Sequence, residues 1–347
     1  MQWNICAGFL LLVTALCLMP PPSYGGGAPR DENGFRNVYE NDDQRSIFDL
    51  MKWRWDRIGK ESYRPEDYPF PLAQNDPAFL KSNREVTTAT WIGHSTLLLQ
   101  IAGKNILTDP QFSDRASPVS WMGPQRFVPP GLALEDLPPV DIVVISHDHY
   151  DHLDMPTIEK LFRRAGGDDT TFFVPLGMKG WFEDVGIRRV VELDWWEERE
   201  TGGLKVIAVP IHHWSKRTFF ARNDTLWAGW IIDTGSFRFF FAGDTGYSPV
   251  FRDIGDRYGP FDLAAIPLGA YEPRWFMKYQ HVNPEEAVQI HRDLRAKKSL
   301  GIHWGTFILT DEPPDEPPRR LHDAAKAEGL GPGEFRVLMH GETIRLD

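Results

Sequence analysis

The stretch His147-Asp148-His149-Tyr150-Asp151-His152 sets three imidazoles and two carboxylates side by side, directly after the apolar run Ile142-Val-Val-Ile145. Histidine and aspartate are both zinc ligands, and the HxHxDH spacing just beyond a strand lets several of them converge on two cations rather than one. The chemistry expected of such a cluster is metal-dependent hydrolysis. Alternation along an extended segment turns Asp148 away from its neighbours, which leaves His147, His149, Asp151 and His152 as ligands. Three more strand-like runs end in the same residue types. Residues 206–211 lead to His212-His213-Trp214, residues 239–243 to Asp244-Thr245-Gly246, and residues 300–302 to His303-Trp304-Gly305. If these ends share one edge of a layered fold, seven ligands surround two Zn2+ ions, with His212 or His213 as one of them.

Such convergence needs a scaffold. Strand character runs over residues 90–101, 105–108, 141–146, 171–175, 205–210, 226–233 and 237–242, the last two meeting in a hairpin turn at Thr234-Gly235-Ser236. Helical patterns cover 155–164, 319–328 and 284–297, the last opened by Asn283 as N-cap with Pro284 in the first turn. Short strands are expected at 299–303 and 335–339, and the prolines of 311–318 mark a loop. Two halves of comparable strand-then-helix order favour an αββα sandwich, two mixed β-sheets flanked by helices.

At 347 residues and 41% hydrophobic, the chain can bury a large α/β core. Its 38 basic against 49 acidic residues leave a net charge of -11 with no long Lys/Arg run, so nucleic acid is not an expected partner. The apolar run 5–19 followed by Pro20-Pro21-Pro22-Ser23-Tyr24-Gly25 reads as a signal peptide over residues 1–25. It is short of the about 20 residues that span a bilayer, although no Lys or Arg precedes it, which keeps an uncleaved anchor as the alternative. Cys6 and Cys17 both lie there, so the cleaved protein would have neither disulfides nor thiolate ligands. The expectation is an exported, periplasmic or envelope-associated enzyme. Residues 26–84 form an N-terminal extension in which Ile47, Phe48, Met51, Trp55 and Ile58 fall at helical spacing beside Lys52, Arg54 and Arg57. This helix is expected either to lie on a membrane surface or to pack its apolar side on the main domain, residues 85–347.

In order and spacing, HxHxDH, a later His, Phe-Ala-Gly-Asp-Thr-Gly and a final His resemble the metallo-β-lactamase superfamily. Met122-Gly-Pro-Gln-Arg-Phe127, Glu192-Leu-Asp-Trp-Trp-Glu-Glu198, His213-Trp-Ser-Lys-Arg217 and the blocks 146–154, 239–247, 259–267, 269–281 and 302–307 are closest to one branch. They resemble the phospholipases D that hydrolyse N-acyl-phosphatidylethanolamine, from about Thr88 to the C-terminus. The resemblance implies His147, His149 and His213 on one zinc, Asp151, His152 and His303 on the other, and Asp244 bridging. It favours His213 because that residue precedes Trp-x-Lys-Arg, as the family's ligand does, and makes His212 a neighbour in the wall. His94, in Trp91-Ile-Gly-His-Ser95, resembles a feature near the metal centre of this branch and is expected to support ligands rather than bind.

The reaction implied is attack on phosphorus by a metal-bridging hydroxide, releasing N-acylethanolamine and leaving phosphatidic acid. The substrate would lie in a membrane surface that the protein contacts peripherally. Asp151 and Asp244 would act at the centre, with Gln280 and His281 contacting the phosphate or the leaving oxygen. Lys216 and Arg217 are candidates for steering the headgroup, and Tyr271 and Trp275 read as core aromatics. The same ligands serve enzymes acting on lactones, β-lactams or soluble phosphodiesters, and a non-catalytic envelope protein is the remaining alternative.

Overall fold

Runs of β-branched and aromatic residues too apolar to face water on either side build two seven-stranded sheets. In this computed structural model, residues 27–39, 46–59, 62–218 and 221–346 are described. The signal-like run and both cysteines lie outside them.

The N-terminal extension contributes a small hairpin, β1 (Arg30–Asp31) and β2 (Gly34–Phe35), then helices α1 (Ile47–Asp56) and α2 (Pro77–Ser82). Strands β3 (Thr88–Gly93), β4 (Thr96–Ile101), β5 (Lys104–Thr108), β6 (Ile142–Val144), β7 (Thr171–Pro175) and β8 (Val190–Leu193) follow, with α3 (Met155–Arg163) and α4 (Lys179–Asp184) between the last three. The second sheet holds β9 (Glu198–Thr201), β10 (Leu204–Val209), β11 (Gly229–Asp233), β12 (Arg238–Phe241), β13 (Leu263–Pro267), β14 (Ser299–Ile302) and β15 (Phe335–Val337). Its helices are α5 (Val250–Tyr258), α6 (Arg274–Met277), α7 (Pro284–Asp293) and α8 (Glu316–Ala327), and β16 (Thr343–Arg345) returns to the first sheet beside β3.

Both sheets are mixed in the same way. β16, β3, β4 and β5 pair antiparallel and β5 to β8 parallel, while β9 to β12 pair antiparallel and β12 to β15 parallel. Alternation along β4 shows the layering: Leu97, Leu99 and Ile101 enter the core between the sheets, Leu98 the core beneath the helices of the first half. The αββα sandwich expected from the sequence is the fold found.

Three local departures have simple causes. Residues 90–101 form a hairpin rather than one strand, because Gly93 and His94 turn at φ +141° and +53°. Helix α7 stops at Asp293, with Arg295 at φ +54°. Helix α8 starts inside the stretch read as a loop: Pro317 and Pro318 occupy its first turn, where a missing N–H breaks no intrahelical hydrogen bond.

Candidate metal centre

The residues expected to be ligands follow different strands at one edge of the sandwich. His147, His149, Asp151 and His152 come after β6, His213 after β10, Asp244 after β12 and His303 after β14, joined by His94 after β3 and Asp109 after β5. Tight chain reversals bring them inward. His94, Asp109 and His303 hold φ of +53°, +31° and +59°, strained conformations that cluster at functional sites. Gly243 reverses at φ +62° where a Cβ would sit 2.4 Å from that of Ser146, so only glycine lets the Asp244 loop approach the HxHxDH loop.

Of the four overlapping donor groups among the described residues, two hold most of the expected ligands, and a third joins Asp244 and His303 to His281. His147, His149 and His213 form one, with His147 Nε2 2.8 Å and His213 Nε2 3.3 Å from His149 Nδ1. Asp151, His152 and His303 form the other, together with His94. Asp244 lies against the second group: its Oδ2 is 3.1 Å from His152 Nε2 and its Oδ1 3.1 Å from His303 Nε2. Yet Asp244 Oδ1, His152 Nε2 and His303 Nε2 are buried without a hydrogen-bond partner, as is His149 Nε2. Asp244 Oδ1, His152 Nε2 and His303 Nε2, this close yet without hydrogen-bond partners, are aimed at a common point as ligands of a divalent cation are, so the donor set fits metal.

Three of the outer ring nitrogens are held from outside. His147 Nδ1 meets Ser146 Oγ at 2.9 Å, His213 Nδ1 the Gln280 carbonyl at 3.0 Å, and His152 Nδ1 the Asp109 carboxylate at 2.6 Å. Each contact turns Nε2 inward, the usual way a protein fixes the tautomer of a metal-binding histidine. His94 Nε2 holds Asp151 Oδ2 at 3.0 Å, and the His94 carbonyl accepts from His303 N at 2.9 Å.

Protonation divides the groups. Burial, reinforced by neighbouring imidazoles, keeps His147 and His213 well below their ordinary range, and burial also lowers His149. Burial disfavours charge on His152 and His303 too, but Asp244 and Asp151 outweigh it, lifting His152 well above its ordinary range and His303 to about 9. Burial would raise the carboxyls of Asp151 and Asp244, and the same histidines hold both well below.

The other expected residues fall as follows. Asp148 accepts from Lys216 N and Thr225 Oγ1. His212 lines a cavity beside His213 and its backbone pairs with Gly246, but among the described residues it belongs to no group of three donors. His281 stands 3.8 Å from Asp244 Oδ2, whereas Gln280 meets the centre through its carbonyl. Arg217 is no free steering charge: its guanidinium lies over Tyr150 and donates to the carbonyls of Asp148 and Leu153, bracing the HxHxDH loop. Tyr271 is buried and donates to Glu316, while Trp275 is 42% exposed.

Sequence reasoning missed two supports. Asp109 shows only as an aspartate ending a strand, and its bonds to Ser146 and His152 depend on tertiary approach. Asn37, from the extension, accepts from His213 N at 3.1 Å and donates to the His213 carbonyl at 3.0 Å.

Comparison with known proteins fits this geometry. A model of the β-lactamase superfamily domain matches residues 104–304, more than half of the chain. An N-acyl-phosphatidylethanolamine-hydrolysing phospholipase D of Caenorhabditis elegans is 44% identical over 266 residues, 73% of this chain and 74% of that protein. The chain belongs to the β-lactamase superfamily, in its N-acyl-phosphatidylethanolamine phospholipase D family. Among solved structures, Igni18, a metallo hydrolase of the archaeon Ignicoccus hospitalis, shares the fold at TM-score 0.57 and 24% identity, over 76% of this chain and 99% of its own. The outer membrane protein RomA of Klebsiella pneumoniae is 42% identical over 102 residues, 29% of this chain and 75% of that protein. This member of the phospholipase family is a metal-dependent hydrolase.

Proposed function

We propose that the enzyme is a phospholipase D that hydrolyses the distal phosphodiester bond of N-acyl-phosphatidylethanolamine, or of a related phospholipid, with two Zn2+ as cofactors. Water supplies the oxygen of the new P–O bond, the bond to the N-acylethanolamine oxygen breaks, and one water proton ends on the released alcohol, leaving phosphatidic acid. The observation that carries this is Asp244, whose two oxygens face His152 and His303 beside a second, all-imidazole donor group. Two zinc ions bound there would acidify a shared water and neutralise phosphate charge.

The chain's own residues supply the rest. His147, His149 and His213 would hold one ion, Asp151, His152 and His303 the other, with Asp244 between them. His94 fixes Asp151 through their 3.0 Å contact. His149, Asp151 and His281 are the partly exposed members, so the phosphate approaches from their side, with His281 near the leaving oxygen. Gln280 positions His213 through its carbonyl.

The apolar N-terminal run and the relation to an outer membrane protein support an exported, envelope-associated enzyme, anchored if the run is not cleaved, that meets its substrate at a membrane surface. No helix among the described residues is long and apolar enough to cross a membrane. The test is an assay of zinc-loaded protein against N-acyl-phosphatidylethanolamine, phosphatidylethanolamine, a soluble phosphodiester, a lactone and a β-lactam. The expected outcome is release of N-acylethanolamine in preference to every other product; preference for the lactone or β-lactam overturns the assignment.

A further inference from the structure

Helix α1 is apolar on two faces, and the fold uses only one of them. Ser46 and Asp49 cap it reciprocally, and Trp53 fastens it to the domain, stacking on Phe276 at 5.2 Å and donating to Asp311 Oδ2 at 3.2 Å. Arg57 pairs with the same Asp311 at 3.2 Å. On the opposite face Ile47, Phe48, Met51 and Trp55, continued by Ile58 in the turn after the helix, stand 60–75% exposed. At 100° per residue these five make one stripe, with Lys52 and Arg54 on its two borders. Exposed apolar residues scattered singly are ordinary, but a stripe on a pinned helix is not.

The stripe continues into its surroundings. Lys52 Nζ lies 4.6 Å over the ring of the half-exposed Trp275. Where α1 ends, Arg57 lines a cavity of about 680 Å³ whose far wall includes Gly123, next to Trp121 and Met122, which are 72% and 57% exposed. Arg115 and Arg126 line the same cavity. Their recorded partners are neutral oxygens: Arg115 donates to the Gly123 carbonyl and Gln125 Oε1, Arg126 to the Ser113 carbonyl and to the carbonyl and side chain of Gln111. Three arginines against the single carboxylate of Asp311, which Arg57 pairs with, leave this hollow cationic in a protein of net charge -11. Arg126 stacks on Phe307 at 4.9 Å, and Phe307 meets His94 edge-on at 5.1 Å, so one aromatic ring separates the hollow from the residue that holds Asp151.

We propose that α1, Trp275 and the Trp121–Met122 loop form an interfacial docking face for a bilayer containing anionic phospholipid, with the arginine-lined hollow taking an anionic headgroup. The exposed stripe sinks into the acyl boundary while Lys52 and Arg54 reach back to the headgroups, the arrangement of helices that lie in a membrane surface. Charge decides the occupant: an acidic protein gains nothing from an anionic surface except where Arg115 and Arg126, which donate only to neutral oxygens, are presented to it, since Arg57 is already paired with Asp311. The inference deepens the phospholipid function above and rests on it, since docking would set the centre beside its lipid.

The test follows α1 directly. In the full chain with Cys6 and Cys17 changed to serine, Phe48→Cys carries an environment-sensitive fluorophore, titrated with phosphatidylcholine vesicles with and without phosphatidylglycerol. A blue shift, quenched by brominated lipid and several-fold stronger with phosphatidylglycerol, is expected. No shift, or one of equal size with both vesicles, overturns the proposal, as does a second copy of the chain covering the stripe, seen as a dimer that Phe48→Asp/Trp55→Asp dissociates. In kinetics, the same double variant should lower the ratio of vesicle to short-chain, monomeric substrate turnover by roughly tenfold or more; an unchanged ratio overturns it. If the wild type hydrolyses no phospholipid but the fluorophore still inserts, the substrate assignment fails and the docking face stands.

Discussion

The two donor groups lie side by side yet are built on opposite electrostatics. His147, His149 and His213 meet without a carboxylate among them, and burial drives all three toward neutrality. His152 and His303 lie against Asp151 and Asp244, which raise both histidines above their ordinary range. The fold has therefore made two donor groups of unequal charge rather than one group twice. Asp244 belongs to the second by contact and reaches the first through its field, acting on His147, His149 and His213.

The most damaging change should be the one that erases this shared element. Asp244→Asn is expected to cut turnover by roughly three orders of magnitude and to lower metal content while the protein stays folded. Elemental analysis and a phospholipid assay read both; undiminished turnover would show that Asp244 does not link the groups. Asp109→Asn should separate them. It removes the charge orienting His152, so affinity at the carboxylate-bearing group should fall about 10–100-fold while the imidazole group changes little. A two-step metal titration against a chelator distinguishes this from a uniform loss, which would mean that Asp109 serves the whole edge.

Asn37→Ala probes the imidazole group from the other side. Both hydrogen bonds to the His213 backbone disappear, each contributing about 1 kcal/mol, so metal affinity at the imidazole group should weaken by roughly thirtyfold at most while the carboxylate-bearing group holds. Loss at the carboxylate-bearing group instead would reverse the assignment of Asn37.

The last effect lies away from the centre and falls on stability instead of on metal or turnover. His340, packed between Trp91 and Thr306, is pushed down to about 3 by burial. As pH falls below about 6.5 the unfolded chain takes up this proton and the folded one does not, so stability drops through that window and not above it, by up to about 1.4 kcal/mol per pH unit. Urea unfolding of His340→Gln should show a shallower acid slope. A slope equal to wild type would place the acid sensitivity at the donor groups.

The sandwich and the gathering of the seven proposed ligands were legible because their signals are local: an apolar strand, then a ligand, repeated along the chain. Asp109 and Asn37 were not, since each acts on a residue far along the sequence, His152 and His213. The turn at His94 was passed over because residues 90–101 were read as one strand, although Gly93-His94-Ser95-Thr96 interrupts its apolar residues at the point where the chain reverses. Pro317 and Pro318 misled in the opposite sense, as a first helical turn tolerates what an interior does not. For α1 the spacing was readable, whereas the division of its apolar residues between a docked and an open face depended on where Trp53 found Phe276.

The order in which the chain is made meets a constraint in β16. Thr343 pairs with Thr90, 253 residues earlier, and Gly341 donates to the Trp91 carbonyl, so the strand leading into the His94 turn is flanked by residues synthesised long after it. A nascent chain can complete its second sheet while the first still lacks an edge. Such a distant pairing is slow to close, and it acts as a proof of length: a product that stops before Thr343 leaves β3 unpaired on that side and has no braced turn from which His94 can hold Asp151.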